Sequence, residues 1–270
     1  MEQIKNRFAY PLILLKQLVK TDFKLRYQGS VLGYLWSLLR PLSLFTILYM
    51  VFVNFLKLDS GTPYYASYLL LGIVLWNFFA EITVGSVGSI VGKGDLLRKI
   101  NFPRYVIVLA SSVSAFINLL FNMIVIGILM AIQHVDISIY ALLAPLLLIE
   151  LYLFALGLAF LLSALYVKLR DLNYIWEVIM QAGFYATPII YPFSKILLEN
   201  ETVAKILIMN PVAQIIQDMR YILITQRTET VSTVFGSFIY TLIPLSIVVV
   251  TFILCARYFR NKAKYFAEEV

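Results

Sequence analysis

The chain of 270 residues is poor in the residue types that many enzymes depend on. It has one histidine and one cysteine, Cys255, and only 14% of its residues are charged. A single cysteine excludes an internal disulfide and a cysteine-based metal site. The sequence also lacks an HExxH motif, a DxD-like acid pair and a histidine cluster. These absences argue against a membrane-embedded glycosyltransferase or lipid-modifying enzyme, which would need such groups.

Apolar residues make up most of the chain. They account for 61% of it, and the mean hydropathy is +0.86. Six apolar stretches are long enough to cross a hydrocarbon core of about 30 Å as helices. They are residues 31–56, 64–92, 103–133, 139–167, 172–192 and 232–258. The composition therefore predicts an all-α, polytopic membrane protein with six transmembrane helices.

The distribution of positive charge predicts the orientation in the membrane. On one side of the six spans, Lys and Arg number six in residues 1–27, four in 93–104, two in 168–170 and four in 257–264. The other side holds five, and Arg40 lies within the first span. By the positive-inside rule, both termini are expected in the cytoplasm. The net charge of +7 is then explained by orientation, and we expect no nucleic-acid partner.

Residues 1–30 are expected to form a cytoplasmic amphipathic helix at the membrane interface, before spans one to five in residues 31–192. Lys16, Lys20 and Lys24 recur on one face at helical spacing, and Pro11 suits a first helical turn. The apolar flank is formed by Leu15, Leu18, Val19 and Phe23. Such a helix places its lysines toward anionic lipid headgroups. A solvated helix without a membrane role is the alternative.

Residues 193–231 interrupt the pattern of spans before the sixth span and tail, residues 232–270. Two helical stretches, SKILLENETVAKILI and PVAQIIQDMRYILI, are apolar on one face and polar on the other. A charge at the bilayer centre costs about 3 kcal/mol, so neither stretch is expected to span in contact with lipid. Asn210 and Pro211 are expected to start the second stretch. The pattern predicts a re-entrant or outer helical hairpin, with an interfacial loop as the alternative.

The loop between spans two and three, residues 93–104, combines leucines with charges. Asp95 is expected to cap a short helix that carries Leu96, Leu97 and Ile100 beside Arg98 and Lys99. Such a helix fits the groove of a protein partner. The alternative is a charged turn that only fixes topology.

Five motifs occur in order along nearly the whole chain: RYQGSVLGYLWSLLRPL, LLRKINFPR, LRDLN, FYATPIIYP and NPVAQIIQDMRYIL. Together they resemble the permease subunit of type-2 ABC exporters for lipid-linked polysaccharides, the family of O-antigen and teichoic-acid exporters. The resemblance implies a homodimer of permeases in the bacterial cytoplasmic membrane, joined to two ATPase subunits. ATP and Mg²⁺ would bind the ATPases, so we expect no cofactor and no enzymatic activity on this chain.

The resemblance also implies roles for particular segments. The loop helix would be the coupling helix seated in the ATPase, formed by Asp95, Leu96, Leu97, Arg98, Lys99, Ile100 and Phe102. The outer hairpin would supply gate helices that include Asn210, Pro211, Gln214 and Arg220. Spans one and five would line the glycan path between the two permeases.

Aromatic side chains in those two spans are candidates to line this path. An aromatic face holds a sugar ring without the strong hydrogen bonds that would stop it sliding. The candidates are Tyr34, Trp36, Phe45, Tyr49 and Phe52 in span one, and Tyr174, Trp176, Phe184, Tyr185 and Tyr191 in span five. Aromatic residues also form packing contacts and interfacial belts, which is the alternative for each of them.

Charges within the spans predict a second group of site residues. Arg40, Glu81 and Glu150 should face protein or water, or be paired. We expect Arg40 to face the permease cavity or to pair with an acid such as Glu81, where it could meet the pyrophosphate of a lipid carrier. The alternative is that Arg40 snorkels to the headgroups. Arg170 and Asp171 are expected to form a cytoplasmic gate.

The sequence thus predicts the permease of an ATP-driven exporter of lipid-linked polysaccharide. A type-2 permease for a small hydrophobic substrate such as a drug would share the six-span plan. A continuous groove lined by aromatic residues favours the glycan, whereas a closed apolar pocket favours the drug.

Overall fold

The structure is a computed structural model that describes residues 2–27, 30, 32–51, 62–100 and 102–269. Within those residues all the regular secondary structure is helical. Four of the described helical segments are long and apolar enough to cross a membrane: Tyr65–Val87, Tyr105–Ile132, Ile139–Tyr166 and Phe238–Lys262. They correspond to the second, third, fourth and sixth expected spans. The prediction of a helical, multi-pass membrane protein is confirmed.

Helix α3 (Tyr65–Val87) lies at the centre of the bundle. Of its 23 residues 18 are buried, because the helix is apolar on every side and packs against neighbours on every side. These neighbours include α2 (Trp36–Tyr49), α5 (Tyr105–Ile132), α6 (Ala144–Tyr166) and α7 (Leu172–Ala186). The two helices expected to line the path, α2 and α7, are both held by α3.

The last long helix, α12 (Leu242–Lys262), packs along α6. The two backbones approach closely at Gly157, where a Cβ atom would lie only 2.9 Å from the Cα of Phe252. The rings of Phe160 and Phe259 meet further along, with centroids 4.9 Å apart. Much of the rest of α12 is exposed, as expected for a helix that faces lipid.

Helix α1 (Glu2–Tyr27) lies against α5. Leu18 is buried in the core, whereas Lys16 and Lys20 are exposed, so the side chains are divided as the amphipathic pattern predicts. The placement of Pro11 in a first turn is wrong. The preceding residues contain no other proline and no glycine to stop a helix, so α1 starts at Glu2 and Pro11 lies inside it.

Helices α2 and α7 are shorter than full spans. Helix α2 has 14 residues, and residues 52–61 after it are outside the described part. Helix α7 has 15, about 22 Å of rise, and ends at Ala186. Thr187 precedes Pro188 and is extended, because a residue before proline is disfavoured in the helical region. The expected span 172–192 is therefore a helix followed by a non-helical segment.

The region before the last span contains α8 (Phe193–Glu199), α9 (Glu201–Ile208), α10 (Pro211–Leu223) and α11 (Val231–Phe235). The first stretch expected as one helix is split, because the Asn200 side chain accepts a hydrogen bond from Val203 N at 3.1 Å and starts α9. The start of α10 is confirmed: Asn210 Oδ1 accepts from Val212 N at 3.0 Å, and Pro211 occupies the first helical position.

The segments expected in the cytoplasm meet at one end of the bundle. Helix α4 (Gly94–Lys99) contacts the terminal helix α13 (Phe266–Glu269). Lys93 pairs with Asp22 of α1 at 3.0 Å, and Lys168 pairs with Glu269 at 3.0 Å. Solvent-accessible pairs of this kind add little stability, but they show that α1 and the C-terminal end of the chain lie beside the two basic loops.

Candidate functional site

A cavity of about 580 Å³ opens between α2, α3 and α5. Apolar residues form part of its wall, but each of the three helices also contributes polar side chains at positions otherwise typical of a membrane span. These polar residues are Ser37, Arg40, Asn77, Glu81, Asn118 and Asn122.

Hydrogen bonds between helices fix much of this polar wall. Asn118 Nδ2 donates to Glu81 Oε1 at 2.7 Å. Asn122, one turn further along α5, donates to the carbonyl oxygens of Asn118 at 2.8 Å and of Ser37 at 3.4 Å. Asn118 Oδ1 is buried and has no donor among the described residues. Buried polar groups usually find a partner, so this oxygen is an unsatisfied acceptor in the wall of the cavity.

Arg40 lies in the wall of this cavity and is exposed. Among the residues that the structure describes, no carboxylate lies within 4.0 Å of its guanidinium group. Glu81 lines the same cavity, but the two side chains form no ion pair. Arg40 thus lines a cavity of the single chain, and its expected place on the transport path stays a prediction. An arginine within a membrane span is stabilised by an anion or by water.

A second groove, of about 400 Å³, adjoins the first. The two share Ser30 and Ser37 in their walls. Its remaining wall is apolar and is formed by Leu32, Gly33, Leu35, Leu38 and Phe121. A polar cavity with a cationic side chain therefore adjoins an apolar groove, an arrangement suited to an amphipathic ligand.

The aromatic candidates fall into two groups. Trp36, Tyr174 and Tyr185 are 51%, 71% and 60% exposed, so their faces are open to a ligand in the single chain. The others that can be assessed are partly buried: Phe45, Tyr49, Trp176, Phe184 and Tyr191. The side chain of Tyr34 and the whole of Phe52 lie outside the described residues.

Contacts of the partly buried group favour packing for several of its members. The Phe184 ring meets Trp76 of α3 edge-on, with centroids 6.2 Å apart. Phe45 and Tyr49 lie against each other at 5.6 Å. Tyr191 donates its hydroxyl to the carbonyl of Tyr185 at 2.9 Å. We therefore regard Trp36, Tyr174 and Tyr185 as the best candidates to line a path.

The end of α7 leaves backbone carbonyls without helical partners, and Arg220 of α10 binds them. Its Nη1 donates to Pro188 O at 2.6 Å, and its Nη2 donates to Ile189 O at 2.8 Å. The hydroxyl of Tyr65 donates to Ile190 O. Non-helical backbone at membrane depth is tolerated where protein groups satisfy it, and these side chains do so.

Arg220 is fully buried and also binds α3 and its own helix. Its Nε donates to Tyr68 O at 3.1 Å, its Nη1 to Gln217 Oε1 at 2.9 Å, and its guanidinium lies 3.5 Å from the centroid of the Tyr68 ring. Gly72 of α3 faces this group so closely that a Cβ atom would collide with it. Arg220 thus joins α10 to both α3 and the end of α7.

Helix α10 is buried on its polar face as well as on its apolar face; the re-entrant or outer position of the hairpin stays a prediction. Ten of its 13 residues are buried, and Gln214, Gln217 and Arg220 are all at most 1% exposed. The polar face points into the bundle because α10 packs between α3, α6 and α12. Pro188 was the one sequence signal for this inward direction. A proline ends the helix and leaves backbone carbonyls without partners, and carbonyls inside a membrane protein require donors such as Arg220.

Part of the predicted coupling segment is exposed to solvent. Asp95, Arg98, Lys99 and Ile100 are exposed, and Leu96 is partly exposed. Two other members pack inward: Leu97 is 7% and Phe102 4% exposed. The capping role of Asp95 is wrong, because α4 already begins at Gly94 and has no side-chain cap. Asp95 instead lies in the first turn, where an acid interacts favourably with the helix dipole.

Arg170 and Asp171 lie at the start of α7, next to Lys168, which pairs with Glu269 near the C-terminus. Both are exposed. The guanidinium of Arg170 lies over the ring of Tyr166, 5.4 Å from its centroid. Both side chains are therefore accessible to a partner protein, or could act at the mouth of a path.

The helices that could cross a membrane surround a polar cavity, and the exposed guanidinium of Arg40 lies in its wall. This arrangement is that of a multi-pass membrane permease. The chain belongs to the ABC-2 type transporter family, which it matches over residues 13–224. It is the membrane subunit of such a transporter and not the ATPase.

Two relatives extend the similarity over most of the chain. The O-antigen export system permease protein RfbA of Klebsiella pneumoniae is 30% identical over 249 residues, which cover 91% of this chain and 94% of that protein. The O-antigen export system permease protein RfbA of Myxococcus xanthus is 29% identical over 218 residues, 79% of this chain and 81% of that protein.

Proposed function

We propose that this chain is the permease of an ATP-driven exporter that moves an undecaprenyl-type lipid-linked polysaccharide out across the bacterial cytoplasmic membrane. O-antigen, teichoic acid and related cell-wall glycans are the substrate class. The observation that carries the proposal is the polar cavity around Arg40 beside an apolar groove, in a chain similar along most of its length to O-antigen export permeases.

The two adjoining spaces match the two ends of such a carrier lipid. A guanidinium group offers several N–H donors in one plane and binds phosphate oxygens in pairs. Arg40 would hold the carrier's pyrophosphate, and Asn118 and Asn122 would contact neighbouring oxygens or sugar hydroxyls. The isoprenoid chain would occupy the groove formed by Leu35, Leu38 and Phe121.

The complete transporter is proposed to contain two copies of this chain and two ATPase subunits, with both termini in the cytoplasm. The exposed faces of α2 and α7 would meet across the dimer axis and form the glycan path, lined by Trp36, Tyr174 and Tyr185. The exposed surface of α4 would seat in the ATPase. Helices α8 to α11 would form the outer gate.

The substitution Arg40→Gln tests the role of the cavity. Loss of charge-assisted hydrogen bonds to phosphate, worth about 1.5–3 kcal/mol, should reduce export roughly 10- to 100-fold. Arg40→Lys should retain part of the activity, because the charge remains while the paired donors are lost. The measurement is surface glycan in cells that depend on this permease, at matched levels of protein in the membrane.

Arg227→Gln is the matched control, since Arg227 is an exposed arginine outside the cavity and its loss should leave export unchanged. Undiminished export by Arg40→Gln would refute the phosphate-binding role. It would also favour a small hydrophobic substrate, which needs no cation in its site.

A further inference from the structure

A second polar cluster lies where α10 meets α6, apart from the Arg40 cavity. Gln214 Nε2 donates to Asp218 Oδ2 at 2.5 Å. On α6, the Glu150 carboxyl lies near both Gln214 and Asp218, close enough to Asp218 for the two acids to repel each other. An amide and an acid of α10 thus lie beside an acid of α6.

This cluster has more hydrogen-bond acceptors than donors. Gln214 is 1% exposed, and its Oε1 is buried with no donor among the described residues. The same is true of Glu150 Oε1. Two ionised carboxylates only accept hydrogen bonds, so the amide NH₂ group is the cluster's single source of donors. One added proton on a carboxyl would supply the missing donor and remove one of two like charges.

The helices around the cluster supply no cation to balance the acids. Among the described residues, neither carboxylate has a basic group within 4.0 Å. Arg220, on the same helix, is bound to Tyr68, Pro188 and Ile189, and the hydroxyl of Tyr152 on α6 is bonded to Ser112.

The helices packed on α10 are α3, α6, α9, α12 and the short helix Ile139–Leu143. On α9, Glu201 and Lys205 pair with each other. The basic residues of α12 lie in its last turns. The remaining charged residues on these helices are Glu81, Arg257, Arg260 and Lys262.

We propose that Glu150, Gln214 and Asp218 form a proton-binding site, and that the bound proton latches the outer helix α10 onto α6. The two residues are partly buried, and two carboxylates this close repel each other strongly when both are ionised. With the proton in place, a single negative charge remains, and the amide and the two carboxyls share hydrogen bonds between the helices. Without it, like charges separate α10 from α6.

The pH range follows from Asp218, which lies outside the spans. Burial raises its pKa from 3.8 to about 6, with the Gln214 hydrogen bond opposing this rise. A carboxyl whose pKa is higher in the folded than in the unfolded state stabilises the fold only while protonated. The stabilisation is therefore lost as pH rises from about 4 through about 6.

The latch has a structural consequence beyond its own residues. Helix α10 also carries Arg220, which holds the carbonyls at the end of α7. Loosening α10 from α6 would therefore relax the support of α7. The outer pH would thus act on a helix proposed to line the path.

The test is thermal unfolding of the full-length protein in lipid nanodiscs between pH 5 and pH 8. The wild-type midpoint should fall by about 5 °C across this range. Glu150→Gln and Asp218→Asn should each flatten the curve and raise the midpoint at pH 8, because either change removes one of the repelling charges. Both variants are expected to fold, since each replaces an acid by its neutral amide.

Glu177→Gln is the control: Glu177 is an exposed acid of α7, and its removal should leave the wild-type curve unaltered. A wild-type pH dependence that persists in both cluster variants would overturn the proposal. Replacing Na⁺ by a bulky organic cation at constant ionic strength should have no effect on the wild-type protein. A loss of stability in that arm would assign the cluster to a metal cation instead of a proton.

Discussion

Arg220 shows how a single side chain can hold a broken span in place. Charges are rarely buried without a paired acid, yet this guanidinium has no carboxylate within 4.0 Å in the described part of the chain. Backbone carbonyls at the end of α7 and on α3, with Gln217, accept its hydrogen bonds instead. Two of these acceptors, Pro188 O and Ile189 O, lie in the non-helical segment that follows α7.

Arg220→Gln should destabilise the protein by about 3–5 kcal/mol, the cost typical of breaking a buried charged network. Arg220→Lys should be nearly as damaging, because an ammonium group lacks the fork of donors that binds the carbonyls of Tyr68, Pro188 and Ile189 together. The measurement is the thermal unfolding midpoint of the purified protein, with the exposed Arg227→Gln as the control. Wild-type stability in Arg220→Gln would contradict this assignment.

A glycine on α3 provides an independent check of the same contact. Gly72→Ala should displace the guanidinium and lower stability, because no space remains for the added methyl group. Gly127→Ala on α5 is the matched control, since a Cβ there meets no atom within 4 Å. Equal stability of the two alanine variants would show that the Arg220 contact contributes little.

At the scale of elements, the sequence predicted long apolar helices better than interrupted ones. Apolar length alone identified α3, α5, α6 and α12. It placed the end of span five at residue 192, although the Thr187–Pro188 step stops α7 at Ala186. It also could not decide which way the polar face of α10 points, because that depends on packing against helices distant in the sequence.

Helix α4 is the element that should join this permease to its ATPase. Arg98→Glu combined with Ile100→Asp changes two exposed residues of the coupling segment and should abolish copurification of the ATPase while leaving the permease folded. Leu97→Ala acts differently: Leu97 is nearly buried, so the change should cost about 2–5 kcal/mol of stability. Arg227→Glu, on the opposite side, is the control for charge reversal. An ATPase that still copurifies with the double variant would refute the coupling role of α4.

At the scale of the whole molecule, composition was enough to predict a helical membrane protein, and the motif order was enough to predict the family, which the match over residues 13–224 confirms. The cavity could be predicted only in part. The sequence identified Arg40 and Glu81 as charges within spans. It could not show that they share a cavity with Asn118 and Asn122, because that depends on how α2, α3 and α5 pack. The dimer and the glycan path remain proposals.

The division of labour between two proteins is the central claim about the whole transporter. This chain would shape the passage and hold the lipid phosphate, while a separate ATPase would supply the energy. Arg40 and the adjoining groove would then act in every transport cycle, and the chain itself would break no bonds.

Reconstitution into proteoliposomes tests that claim most directly. The permease and its ATPase would be purified separately, combined with lipid-linked polysaccharide in the membrane, and followed by the appearance of glycan on the side opposite to the ATPase. The account predicts ATP-dependent translocation only when both proteins are present, and no ATP hydrolysis by this chain alone. Hydrolysis by the permease alone, or translocation without the ATPase, would contradict it.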